Sequence, residues 1–291
     1  MTPATPARGL IALLRLPYWL MTGGLSVLTA FAITKDPLSL SVQTVMLIFF
    51  SMAFITSAGF AINDYFDRES DAVIKPKRPI PSGALSLKQV VAVSGLLFAV
   101  GLVMASFINW LSFAIIAVDS LLLLVYSYMV KRKSGFVANV LVGILTGTAF
   151  MYGQATITTP ATVSLISLSL YPIAFGTIGG NVLRDILSVE GDSKTGYPTL
   201  PQKIGGANSA KVAALFFMLT GFLAPLPFFL GNFTVYYLPL ILLWSVLLIY
   251  ASIRLVTSAS TVQNVRKYER IVTMSMILLP LALIVEAVLG G

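Results

Sequence analysis

The sequence predicts an all-α polytopic membrane protein, with about nine transmembrane helices around a central cavity and cytoplasmic loops capping it. Three observations predict this. The 291-residue chain is 57% apolar and only 10% charged, with a mean hydropathy of +0.91, well above the composition of a water-soluble domain. Its apolar runs recur at the roughly 20-residue length that a bilayer requires of a helix. Its basic residues fall almost entirely on one side of those runs. This leaves no room for a separate soluble catalytic domain, so residues 1–291 are expected to form a single transmembrane domain.

The first run, 10–34, contains Arg15 and Pro17 and follows a stretch, Met1 to Gly9, with no secretory cleavage pattern. The second run is 42–63 and the third 88–108. The fourth, 111–130, holds Asp119 near its middle, and the fifth is 136–157. The sixth, 162–183, contains Pro172 and several glycines, which membrane helices tolerate where neighbours satisfy the freed backbone groups. Runs at 210–230, 234–255 and 270–289 complete the set. Connections after the second, fourth, sixth and eighth runs are polar, and those after the third, fifth and seventh are short and uncharged. The polar stretches 64–87 and 184–209 are long enough to form short helices over the bundle.

Eighteen of the 19 Lys and Arg residues lie at the N-terminal end, between Arg68 and Lys88, at Lys131 to Lys133, from Arg184 to Lys211, or from Arg254 to Arg270. Only Lys35 lies on the other side. The positive-inside rule therefore puts the N-terminus and the four polar loops in the cytoplasm of a multi-pass cell-membrane protein, and the C-terminus outside. Lys88, Lys211, Arg254, Arg266, Lys267 and Arg8 read as topology signals alone. The net charge of +8 does not imply a nucleic-acid partner, because the basic residues are dispersed between apolar spans. The chain has no Cys and no His. That excludes disulfides, thiolate nucleophiles, imidazole acid–base catalysis and imidazole or thiolate metal sites.

The carboxylates are the informative residues. Of 11, seven fall in two short windows: Asp64, Asp67, Glu69 and Asp71, then Asp185, Glu190 and Asp192. Asp64, Asp67 and Asp71 have the spacing i, i+3, i+7, which places three carboxylates on one helical stripe, with Asn63 one turn before Asp67. Three like charges repel unless cations neutralise them. Hard oxygen ligands without nitrogen or sulfur suit Mg²⁺, which commonly bridges carboxylates to substrate phosphates. A solvated acidic helix end accounts for one such window, but the second repeats the spacing as Asp185, Ser188 and Asp192. Basic segments containing Pro and Gly, 75–83 and 194–201, follow the two windows. The two halves thus read as weakly related, with acidic motifs at 63–71 and 185–192. Two facing acidic helix ends suit Mg²⁺ ions that clamp one diphosphate, with Lys and Arg on its other oxygens. A diphosphate leaving group at the mouth of an apolar helical cavity points to prenyl transfer.

These residues carry a family resemblance. Asn63-Asp-Tyr-Phe-Asp-Arg-Glu-Ser-Asp71 matches the NDxxDxxxD motif of the UbiA superfamily of intramembrane prenyltransferases at every fixed position. Arg78-Pro-Ile-Pro-Ser-Gly83 resembles the segment that follows it. Tyr126-Ser-Tyr-Met-Val-Lys-Arg132 resembles the family's Tyr and Lys-Arg signature, and Arg184 to Asp192, with Gly196 and Thr199-Leu-Pro201, resembles its second acidic motif. That motif is usually DxxxD, and Ser188 stands at its first position here. Asp185, one turn earlier, is the carboxylate that can replace it, and Glu190 is less well directed.

The resemblance implies Mg²⁺, two or more ions, held by Asn63, Asp64, Asp67, Asp71, Asp185, Ser188 and Asp192, directly or through water. It implies catalytic roles for Asp64, Asp67, Asp71, Asp185 and Asp192. Diphosphate contacts fall to Arg78, Lys131 and Arg132, with Arg68, Lys75, Lys194 and Lys203 behind them, and Arg15 or Arg184 offers a second anion site. Tyr126 either faces an allylic cation with its ring or packs. Ile62 to Asp67, Val189 to Asp192 and Lys131 to Gly135 with Asn139 look most like the archaeal branch that joins geranylgeranyl diphosphate to the sn-2 hydroxyl of geranylgeranylglyceryl phosphate in ether phospholipid synthesis. The alternatives are an aromatic acceptor, as in 4-hydroxybenzoate prenylation for quinone synthesis, and, from another class, a cation-coupled transporter, which predicts carboxylates near mid-membrane. Only Asp119 lies there, either lining an acceptor pocket or bonding a neighbouring helix. Glu286 is expected at the outer interface among headgroups. Phe54, Phe60, Phe150 and Phe175 either line a polyprenyl tunnel or pack.

Overall fold

A computed structural model describes residues 5–194, 196–258 and 261–291. Among these, nine helices are long and apolar enough to cross a membrane. They are α1 (Pro6–Thr34), α2 (Val42–Phe66), α3 (Leu87–Ser106), α4 (Trp110–Lys133), α5 (Gly135–Ala155), α6 (Leu165–Lys194), α7 (Leu200–Phe229), α8 (Val235–Thr257) and α9 (Val262–Leu289).

The apolar centres lie where the sequence puts them, but several ends differ. The sixth helix runs to Lys194 rather than 183, α7 starts at Leu200 rather than 210, and α9 starts at Val262 rather than 270. Hydropathy sees only the part of a helix that lipid requires to be apolar, so a polar extension leaves no trace in it. Capping signals do mark such ends: Thr261 precedes α9 and its hydroxyl accepts from the Asn264 N–H. Of the two expected cap regions, 64–87 does form a short helix, Arg68–Ile74. Most of 184–209 is instead continuous with α6 and α7.

Local breaks serve the site. Pro17 cannot donate to a helical turn and clashes with the preceding one. Helix α1 breaks just before it, with Arg15 in the left-handed region at φ 49°. In α4, residues Tyr126–Val130 form a π-turn.

Neighbours in sequence pack side by side from α1 to α9, and α9 packs back on α1, closing a ring. Helix α1 also crosses to α5, and α6 to the first half of α9. No hydrophobic driving force separates helix from lipid tails, so close backbone approach carries the packing. A Cβ on Gly153 of α5 would lie 2.5 Å from the Ser26 carbonyl oxygen of α1, and one on Gly23 would lie 2.4 Å from that of Phe49 in α2. Phe150, Tyr152, Phe217 and Trp244 fill the interior, while Leu96, Leu121, Phe222 and Val246 face outward. Phe150 is therefore a packing residue, and Phe54 packs against Trp19.

Glu286 is not among headgroups. It is fully buried, accepts hydrogen bonds from the Thr234 N–H (2.9 Å) and Oγ1 (2.8 Å), and lies 3.9 Å from Lys35 Nζ. It caps the turn that opens α8 and ties α9 to the end of α1. Glu286→Ala is therefore expected to lower stability by about 3 kcal/mol, read as an earlier thermal transition of the purified protein in detergent. Glu286→Gln, which keeps an acceptor oxygen, should lose less. Equal melting of Ala variant and wild type would refute the cap. Asp119 is also buried, accepts from Thr148 Oγ1 at 2.7 Å, and so bonds a neighbouring helix.

Candidate active site

The first acidic stripe survives the end of α2. Asp67 adopts φ −86° and ψ 0°, yet its N–H still reaches the Asn63 carbonyl (2.9 Å), and that of Asp71 reaches Asp67 (2.8 Å). The turn therefore continues into Arg68–Ile74, and Asp64, Asp67 and Asp71 stay on one side, each no more than 4% exposed. Buried carboxylates require cations or donors, and four separate places in the chain supply them. Arg15, freed by the break in α1, places Nη2 at 2.6 Å from Asp64 Oδ1 and lays its guanidinium 4.3 Å above the Phe60 ring. Arg78 bridges two of the acids, with Nη1 at 3.0 Å from Asp64 Oδ1 and also paired with Asp71 Oδ2. Lys131 pairs with Asp67 Oδ2, which also accepts from Asn63 Nδ2 at 2.8 Å. Tyr197 donates its hydroxyl to Asp67 Oδ1, and its ring lies 4.9 Å from Lys131 Nζ.

The π-turn in α4 explains how Tyr126 and Lys131, five residues apart, both reach the site. A turn closed by i→i+5 bonds brings that spacing to one side, and both residues line the same cavity. The second stripe completes this cavity, whose volume is about 140 Å³. Asp185 and Asp192 of α6 line it together with Asp67 and Asp71 of the first stripe. Asn139 of α5 donates to Asp185 Oδ2 at 2.7 Å, and Ser188 donates to Asp192 Oδ2 at 2.6 Å. Ser188 is thus engaged with Asp192 and lies off the cavity wall, whereas Asp185 is on it.

Lys75 lines the cavity too. Burial, then the neighbouring Arg78 charge, pushes its ammonium below the usual lysine range. Burial pushes the Tyr197 phenol up, and donation to Asp67 pushes it further, so Tyr197 remains a proton donor to that carboxylate.

The other expected residues sit elsewhere. Arg68 bonds the Tyr65 carbonyl (3.0 Å) and Glu69 (3.2 Å), and Arg132 donates to the Phe66 carbonyl at 3.1 Å. Arg184 reaches Asn181 (3.2 Å) and Glu269 (3.5 Å), tying α6 to α9. Lys194 is exposed at the end of α6. None of the four lines the cavity. Sequence reading omitted Tyr197 from the site. Its one signal is position, in a Gly-Tyr-Pro turn just beyond the second acidic window, where a large aromatic has no lipid-facing reason to be.

Among the described residues, no three carboxylates converge on one point as a ready cation cage. Arg78 and Lys131 stand between them instead. The donor chemistry nevertheless fits a hard divalent ion: the carboxylates around the cavity present oxygen only, and Asn63 Oδ1 is buried without a hydrogen-bond partner among the described residues.

The sequence profile of the UbiA prenyltransferase family matches residues 23–278. A digeranylgeranylglyceryl phosphate synthase of Natronomonas pharaonis is 38% identical over 235 residues, covering 79% of this chain and 81% of that protein. The enzyme of the same name from Methanopyrus kandleri is 36% identical over 227 residues, covering 78% and 81%. A solved structure concerned with digeranylgeranylglyceryl phosphate synthase in membranes superposes with a TM-score of 0.81 at 28% identity, covering 97% of this chain and 99% of that one. A UbiA homologue from Archaeoglobus fulgidus bound to GPP and Mg²⁺ has the same fold, with a TM-score of 0.67 at 21% identity over 95% of this chain and 99% of that one. By profile, relatives and fold, the chain belongs to the UbiA prenyltransferase family of membrane enzymes.

Proposed function

We propose that this prenyltransferase moves a geranylgeranyl group from its diphosphate to the sn-2 hydroxyl of geranylgeranylglyceryl phosphate, forming the second ether bond of an archaeal membrane lipid. The observation that carries the chemistry is the single cavity walled by Asp67 and Asp71 on one side and Asp185 and Asp192 on the other, with Lys75 and Lys131 at its edge. The choice of acceptor rests on the relatives named digeranylgeranylglyceryl phosphate synthase.

In this reading the C1–O bond of the prenyl diphosphate breaks, its electron pair leaves with diphosphate, and an allylic cation remains. Lys75 and Lys131 take phosphate oxygens, and Arg78 approaches from the loop behind Asp71. Tyr126 presents its ring at the cavity wall, where an aromatic face favours a passing cation. The four cavity-lining aspartates, with Asn63 and Asp64 behind them, would hold Mg²⁺, two or more ions, which when bound would supply Lewis-acid neutralisation of the leaving diphosphate. The acceptor hydroxyl then attacks C1 and loses its proton to a carboxylate, water or diphosphate, since the chain has no His or Cys. Arg15 is the candidate for an acceptor phosphate. The same reading makes the whole chain one domain of two weakly related halves, with the cavity and N-terminus on the cytoplasmic side and the C-terminus outside.

Purified protein, Mg²⁺ and geranylgeranyl diphosphate are incubated with either geranylgeranylglyceryl phosphate or 4-hydroxybenzoate, and products are identified by mass. The diether is expected. A prenylated aromatic acid without diether would replace the proposed acceptor, and Mg²⁺-independent ion flux without diphosphate release would favour a transporter.

A further inference from the structure

The charges around the cavity nearly cancel before any ligand arrives. Asp64, Asp67, Asp71, Asp185 and Asp192 face Arg15, Lys75, Arg78 and Lys131. A diphosphate entering alone meets Arg15, Arg78 and Lys131 already paired with carboxylates. A divalent cation entering alone finds Asp64 and Asp71 joined through Arg78, and Asp67 held by Lys131. Asn63 Oδ1 is the contrasting atom, a buried oxygen beside Asp67 with no hydrogen-bond partner among the described residues. The Arg78 and Lys131 side chains are only 20% and 26% exposed. They are long; Lys131 already lines the cavity, and Arg78 is paired with Asp71, which lines it, so each head lies within one carboxylate of the cavity.

We infer that Arg78 and Lys131 are exchangeable counterions: in the ion-free site they occupy the carboxylate oxygens that a divalent cation takes, and they transfer to phosphate oxygens when metal and diphosphate enter together. This rests on the prenyl-diphosphate reading above. It makes the two ligands mutually dependent, because each releases the group that the other needs, and such coupling between sites is reciprocal. Arg78 and Lys131 then act as positioning residues for the aspartates as well as contacts for the substrate.

The test uses Mn²⁺ alone, with no diphosphate, titrated into the full-length protein in detergent and followed by loss of the free-ion electron paramagnetic resonance signal. Arg78→Gln is expected to bind Mn²⁺ about tenfold more tightly than wild type, within the usual range of coupling between sites. Arg78→Lys, which keeps the charge, should stay within about threefold of wild type on the same scale. Lys131→Met tests the Asp67 side independently, with the same direction expected, and decides the matter if Arg78→Gln does not fold. A role confined to gripping diphosphate leaves Mn²⁺ affinity unchanged, and a purely structural role lowers it. Either result overturns the exchange. Prenyl transfer measured on the same wild-type preparation separates the two readings: transfer with unchanged Mn²⁺ affinities in the variants rejects the exchange alone, whereas no transfer to either acceptor rejects the functional reading.

Discussion

Replacing Asp67 by Asn is expected to lower prenyl transfer by about a thousandfold, at the upper end of what one electrostatic contact in an active site contributes. Three donors converge on this cavity aspartate: Asn63, Lys131 and Tyr197 all donate to its two oxygens. An amide at this position offers a donor where three donors already converge, and it leaves the Lys131 ammonium without its counterion. Diphosphate release from geranylgeranyl diphosphate is the measurement, with circular dichroism and gel filtration to establish that the variant is folded. Turnover within a few-fold of wild type would remove Asp67 from the centre of the site. Tyr197→Phe, which removes one donor and keeps the ring near Lys131, should cost far less.

Asp185→Asn should lose about a hundredfold or more on the same electrostatic argument, while Ser188→Ala should stay within a few-fold of wild type. The two residues compete on paper for one role, since the family motif expects a carboxylate where Ser188 stands. In the folded chain Asp185 lines the cavity and is held by Asn139, whereas Ser188 spends its hydroxyl on Asp192. Transfer rates across a Mg²⁺ titration separate the roles. A large rise in the Mg²⁺ requirement of Ser188→Ala, with Asp185→Asn unaffected, would reverse the assignment.

The fold was legible because lipid imposes a simple rule on composition, and every apolar run became a helix. The acidic stripes were legible because helix geometry turns i, i+3, i+7 spacing into a shared face, and that spacing outlasted the end of α2. Contacts across the bundle were not. Nothing local in the sequence says that Arg15 meets Asp64, 49 residues away, because that pairing depends on a break in α1 and on how α1 packs against α2. Arg68, Arg132 and Arg184 resemble Arg78 in composition and neighbourhood, yet they bond to backbone or to other helices. A charge count cannot tell which basic side chain points inward. Glu286 misled for a related reason: a carboxylate near the end of an apolar run suggests headgroups, and only the arrival of Thr234 and Lys35 from other helices makes its burial possible.

The π-turn at Tyr126–Val130 makes backbone hydrogen-bond register, rather than side-chain identity, the sensitive variable in this part of α4. A substitution at Ser127 or Met129 leaves the register intact. An α-helix advances about 100° per residue, from 3.6 residues per turn, so drawing this segment back into α geometry would swing Lys131 well away from the side that Tyr126 occupies. Removal of a single residue here would let the backbone relax into ordinary hydrogen bonding and keep the following Lys-Arg-Lys segment on the Tyr126 side, because Tyr126 and Lys131 would then stand four apart, about one α-turn. A return to α geometry with all five residues kept would leave the helix spanning the bilayer with unchanged hydropathy, and the Lys131 ammonium would no longer face Asp67.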